Sequence, residues 1–211
     1  LGELAVGILS PKVSLGEGAV AKFPIPKFDD EIKKSISKIA YTLVEDFKNM
    51  EFFNESSFHF KGLDLLNSSE IFISDYSIRF QNFFNMKIED IYEKERTIDD
   101  LISKQPLQNE KNNSNDRDVN EFSDEVVGQK ILSYAIGCMM GRYSLDEPGL
   151  IYAHAGNQDF DASRYQTFPA DADGIIPLTE MHWFEDDATH RIQEFLTAVW
   201  GKDTLDANML W

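Results

Sequence analysis

The stretch "LSYAIGCMMGRYSLDEPGLIYA", residues Leu132–Ala153, is the least polar part of a very acidic chain. It holds the single cysteine, Cys138, and the adjacent pair Met139 and Met140. A membrane-spanning helix needs about 18 or more consecutive apolar residues. Ser133, Arg142 and Asp146 interrupt this run well before that. Working backward, Val126, Val127, Ile131, Leu132, Ala135, Ile136, Met139 and Met140 cover most of a helical circumference. The pattern predicts a helix from Glu125 to about Arg142, capped by Asp124 and buried nearly all round. Gly137 and Gly141, four apart, leave room for a close neighbour there. "DEPG" at 146–149 then predicts a turn.

Outward from this segment the chain is mainly α. Ile32, Ile36, Ile39, Leu43, Val44, Phe47 and Met50 recur at spacings of three and four, predicting a helix over 30–50 behind Asp29 or Asp30. A further helix is expected at 69–86, capped by Ser68 or Ser69, with a second helical piece at 87–103. Residues 105–122 are polar and Asn-rich and read as a flexible linker. Residues 146–178 read as a loop-rich insert with short extended or β pieces. The last helix carries Ile192, Phe195, Leu196 and Val199, with Thr179 or Asp186 as cap and Gly201 as stop. Residues 1–28 hold Pro11, Pro24 and Pro26 and read as extended. The resulting division is 1–28, 29–104, 105–122 and 123–211.

Composition bounds the function. The 211 residues are 42% apolar and include 16 Phe, enough for a sizeable core. The formal net charge is -17, from 20 Lys plus Arg against 37 Asp plus Glu. Affinity for nucleic acid needs clustered basic residues, so this segment alone is expected to bind DNA poorly. One cysteine closes no internal disulfide. No secretory signal opens the chain, and a cytoplasmic setting without membrane contact is expected. A start at Leu1 without Met, and a stop at "NMLW", suggest a piece of a larger protein, or a processed or partly ordered chain.

Candidate chemistry is weak throughout. Cys138 sits mid-helix among Ile, Met and Gly, where packing outweighs nucleophilic use. "GEGAVA" at 16–21 fits a dinucleotide fingerprint, but "KFPIP" follows where a helix must begin. In "PADADGIIPLTE" at 169–180, Asp171, Asp173, Gly174, Ile176 and Glu180 fall at calcium-loop positions, but Pro169 takes the first ligand position. His59, His154, His182 and His190 are scattered, although Glu180, Glu185, Asp186 and Asp187 surround the last two. No catalytic, cofactor-binding or metal-binding residue is assigned from these patterns.

A resemblance adds what spacing does not. "ILSYAIGCMMGRYSLDEPGLIYA" resembles the segment just after the catalytic core in PglX-type adenine-specific DNA methyltransferases of bacterial BREX phage-defence systems. "FPADADGIIPLTEMHWFEDDATHRIQEFLTAVWGKDTLDANMLW" resembles the same proteins further on. "NESSFHF" at 54–60 resembles a family motif with Trp in place of Phe58 and Asp in place of His59. "SPKVSLGEGAVAKFPIP" resembles the end of the methyltransferase core more loosely. The family's Gly-rich methyl-donor loop and Asn-Pro-Pro-aromatic motif are not matched in this sequence. The resemblance therefore implies a helical connector outside the catalytic core of a larger enzyme. That enzyme would use S-adenosylmethionine, act on double-stranded DNA through its other domains, and work beside other defence proteins. The alternative is a free-standing acidic module that binds a basic protein or imitates DNA.

Overall fold

The computed structural model describes residues 28–66, 69–103, 122–154, 158–179, 183–184 and 186–211. Among the described residues five α-helices carry the fold: α1 (Asp30–Glu51), α2 (Ile73–Ser103), α3 (Asp124–Met139), α4 (Ala188–Trp200) and α5 (Leu205–Leu210). No strand occurs among the described residues, so the insert at 146–178 takes extended and turn forms rather than β. Contacts divide the chain into two compact units. One holds α1 up to Ala40 and α2 from Glu95; the other holds residues 41–94 and everything described from Phe122 on. The core and the candidate site lie in the second unit.

Helix α1 begins as read, with Asp29 accepting a hydrogen bond from the Ile32 amide at 2.8 Å. Its facing differs from the reading. Val44 and Phe47 are exposed, while Asp46 is buried. The inward track is Leu43, Asp46 and Met50, and Asp46 accepts from Lys87 at 3.0 Å and from Lys94. Just past α1, Phe53 packs on Phe80, Phe83 and Phe84. Numbers rise along one helix as they fall along the other, so α1 and α2 run antiparallel here.

The two pieces expected over 69–103 are one helix. Nothing at Met86–Ile88 breaks it, and the buried track Ile73, Ser77, Phe80, Phe84 and Ile91 crosses the expected joint. Its start is set from far away: the Ile73 amide donates to Asn208 Oδ1 of α5 at 3.0 Å.

Helix α3 is capped by Ser123, not Asp124. Asp124 instead accepts from Ser77 Oγ and Gln81 Nε2, both at 2.7 Å, and ties α3 to α2. It stops at Met139, short of Arg142, because Gly141 turns to φ 70° and the Arg142 amide reaches back to the Gly137 carbonyl at 2.8 Å. Helix α4 is capped by Asp187, later than expected, and ends at Gly201 as read.

The insert is held by side chains rather than by a sheet. Tyr134 donates to the Ser144 carbonyl at 3.0 Å, and Ser144 Oγ to the Arg164 carbonyl at 2.8 Å. Tyr165 donates to the Gly141 carbonyl at 2.6 Å. Asp146 accepts from the Gln166 and Thr167 amides at 2.7 and 2.9 Å. These bonds satisfy backbone groups that would otherwise be orphaned beside the core. Inside, Phe60, Tyr134, Tyr143, Phe168 and Phe195 interlock edge-to-face and by stacking.

Candidate functional site

Among the described residues, those singled out by sequence are not drawn together. Cys138 is buried on the inner face of α3, and burial pushes its thiol up to about 12, far from a reactive thiolate. The 16–21 fingerprint, His182, Glu180 and Glu185 lie outside the described residues. Asp171 Oδ2 accepts from the Asp173 and Gly174 amides at 3.1 and 2.8 Å, and Asp173 Oδ1 from the Ile175 amide at 2.8 Å. Both carboxylates hold their own turn. His59 and His154 are exposed, and His190 Nε2 lies 3.3 Å from Glu194. Among the described residues no group of three His, Cys, Asp or Glu is arranged to hold a metal ion. None of the described helices is long and apolar enough to cross a membrane. In "NESSFHF", the turn is closed by Asn54 and Ser57, which buries Phe60 and leaves Phe58 fully exposed.

What sequence reasoning missed is a surface. Helix α3 is not buried all round. Val127, Ile131, Tyr134, Ala135, Cys138 and Met139 face the core. Leu132, Ile136 and Met140 do not, and stay 48%, 42% and 49% exposed. They stand four apart, so they form a single outward stripe. The periodicity of α3 carried no sign of it, because both faces are apolar.

At its N-terminal end the stripe enters a groove. The cavity is about 620 Å³ and lies among α3, α4, α5 and the start of α2. Ile131, Leu132 and Ala135 of α3 and Ile192 and Phe195 of α4 line its apolar floor. Trp211 closes one side, 43% exposed, with its ring over the bare backbone of Gly128. A Cβ on Gly128 would stand 3.3 Å from Cζ3 of that ring, so the glycine gives the indole edge a close seat. Asp124 and Glu125 rim the groove, and no Lys, Arg or His lines it among the described residues. The arrangement can hold an apolar object and attract positive charge. It has no nucleophile beside a base.

No family model matches the chain. It is similar to the adenine-specific methyltransferase BrxX of Escherichia coli (strain HS), 32% identical over 234 aligned positions that take in 97% of this chain and 18% of that protein. It is also similar to the adenine-specific methyltransferase PglX of Lacticaseibacillus casei (strain Zhang), 46% identical over 80 residues, 37% of this chain and 6% of that protein. The chain thus spans less than a fifth of the length of the curated relatives it matches. The chain is a relative of the adenine-specific methyltransferases named BrxX and PglX, matching a stretch of BrxX along nearly its whole length.

Proposed function

We propose that this chain is the helical connector of a larger PglX-type enzyme of a BREX phage-defence system. That enzyme transfers a methyl group from S-adenosylmethionine to the exocyclic amine of adenine in double-stranded DNA, in the bacterial cytoplasm. The connector joins the catalytic core to the base-reading region and fixes their separation. The chain then divides as a core tail (1–28), a helical region (29–104), a linker (105–122) and a second helical region (123–211).

The carrying observation is the outward apolar stripe Leu132, Ile136 and Met140. A chain this acidic has ample polar residues for a solvated helix face, and apolar surface gathered in a line marks a packing interface. Within a long polypeptide, the rest of the same protein supplies the cover. S-adenosylmethionine presents a carboxylate, ribose hydroxyls and an adenine edge. The apolar floor of the groove does not fit them, so donor binding is assigned to the rest of the polypeptide and no chemical step runs through this chain.

The test uses the whole polypeptide. With Leu132→Asp and Ile136→Asp together, methyl transfer to duplex DNA is expected to fall by about tenfold or more, because misplaced domains lose orientation. Unchanged transfer overturns the connector reading. So does binding of S-adenosylmethionine to this 211-residue chain alone.

A further inference from the structure

We infer that the groove between α3 and α4 receives a basic amphipathic helix, one whose apolar stripe is flanked by Lys or Arg. The proposal rests on the connector reading for its source, another region of the same polypeptide, but its chemistry is argued from the groove alone.

Three observations point to a helix of that kind. First, the apolar floor continues directly into Leu132, Ile136 and Met140. Eight residues of α-helix rise about 12 Å, so the track is as long as the apolar face of two to three helical turns. A helix satisfies its own backbone hydrogen bonds. An extended peptide laid on this floor would find no sheet edge to pair with among the described residues. Second, the rim is acidic. Glu125 is exposed, Asp124 already holds two donors through one oxygen, and no basic side chain lines the groove among the described residues. Positive charge on the flanks of the incoming helix complements that rim. Third, Trp211 stands at the edge, half open, with its ring edge close against Gly128. A rigid aromatic beside an apolar hollow is the usual anchor of a helix-binding groove.

The same features weigh against other occupants. A second copy would bring its own Asp124 and Glu125, and another formal charge of -17, against this rim. Nucleic acid would bring phosphates to carboxylates.

The experiment titrates the chain with three synthetic peptides: Leu at helical spacing flanked by Lys, the same Leu pattern flanked by Glu, and the Lys peptide with its Leu positions scrambled. Anisotropy of a labelled peptide reads binding, and far-ultraviolet circular dichroism reads its helicity. The first peptide is expected to bind saturably, become helical and weaken with added salt. The other two are expected to bind at least about tenfold more weakly. Leu132→Gln with Ile136→Gln should cost about tenfold for the first peptide with only a small drop in melting temperature, since about half of each side chain is exposed. Glu125→Gln should flatten the salt dependence. Equal binding of the Lys and Glu peptides, equal binding of the scrambled one, or indifference to the double Gln variant overturns the proposal. A dimer that the double Gln variant dissolves also overturns it, in favour of a second copy. Failure of methyl transfer in the whole polypeptide leaves this result untouched, so the two readings fail separately.

Discussion

The ring of Tyr143 lies over the bare backbone of Gly137, close enough that a Cβ at Gly137 would stand 2.3 Å from Tyr143 Cδ2. The room left by the glycine is filled by the turn that follows α3, which folds back on the helix. Gly137→Ala opposes two effects. Alanine favours helix by about 1 kcal/mol over glycine. Overpacking against a buried ring costs about 1–3 kcal/mol. Burial of Tyr143 leaves it little space to move, so the variant is expected to unfold at lower urea. A higher urea midpoint would show that the turn yields.

Two tyrosines make opposite predictions for one substitution. Tyr134 donates to the Ser144 carbonyl at 3.0 Å, so Tyr134→Phe orphans a buried acceptor and is expected to cost about 1–2 kcal/mol. The Tyr76 hydroxyl is buried with no hydrogen-bond partner among the described residues. Tyr76→Phe removes a desolvated polar group and is expected to be neutral or stabilising by up to about 1 kcal/mol. Urea unfolding of both variants checks the order; a larger loss at Tyr76 than at Tyr134 would reverse it.

Asn208 caps α2 across 135 residues of sequence. Asn208→Ala is expected to cost about 1–2 kcal/mol, as other lost caps do. Hydrogen exchange localises the effect, with faster exchange expected at the first amides of α2 than at those of α3. Equal acceleration in both helices would mean that the cap acts globally.

Asp46 gives the chain an acid-sensitive joint. The Lys94 hydrogen bond, against the opposing effect of burial and with help from Lys87, holds its carboxyl below the usual value. A lowered carboxylate pKa contributes stability that is complete above about 3.9, the unfolded value, and lost as pH falls through the folded one. Asp46→Asn is therefore expected to be less stable than the parent at pH 7 by about 1–2 kcal/mol, with the gap closing below about pH 4. A gap that stays constant down to pH 2 would remove the ion pairs from the account.

Much of the fold was legible because it is local. α1 starts behind Asp29 and ends within a residue of the expected place, since one side-chain cap and one stripe define it. What was not legible is non-local. Asp46 shares a track with Leu43 and Met50, yet its burial depends on lysines 41 and 48 residues further on. α2 takes its cap from Asn208 rather than from Ser69 (Ser68 lies outside the described residues), and α5 is a six-residue helix packed on α4. The candidate surface was hidden for a simpler reason. Leu132, Ile136 and Met140 are as apolar as the core face of α3, and sequence alone cannot tell an apolar face with a core behind it from one that is open.

Coverage of that stripe is the direct measure of a connector. Hydroxyl-radical footprinting compares the oxidation rate of Met140, 49% exposed here, in this chain and in the whole polypeptide. Met139, fully buried beside it, serves as the internal reference. The account predicts that Met140 oxidises readily in the chain and falls toward the Met139 rate in the whole polypeptide. Equal Met140 rates in the two would contradict it.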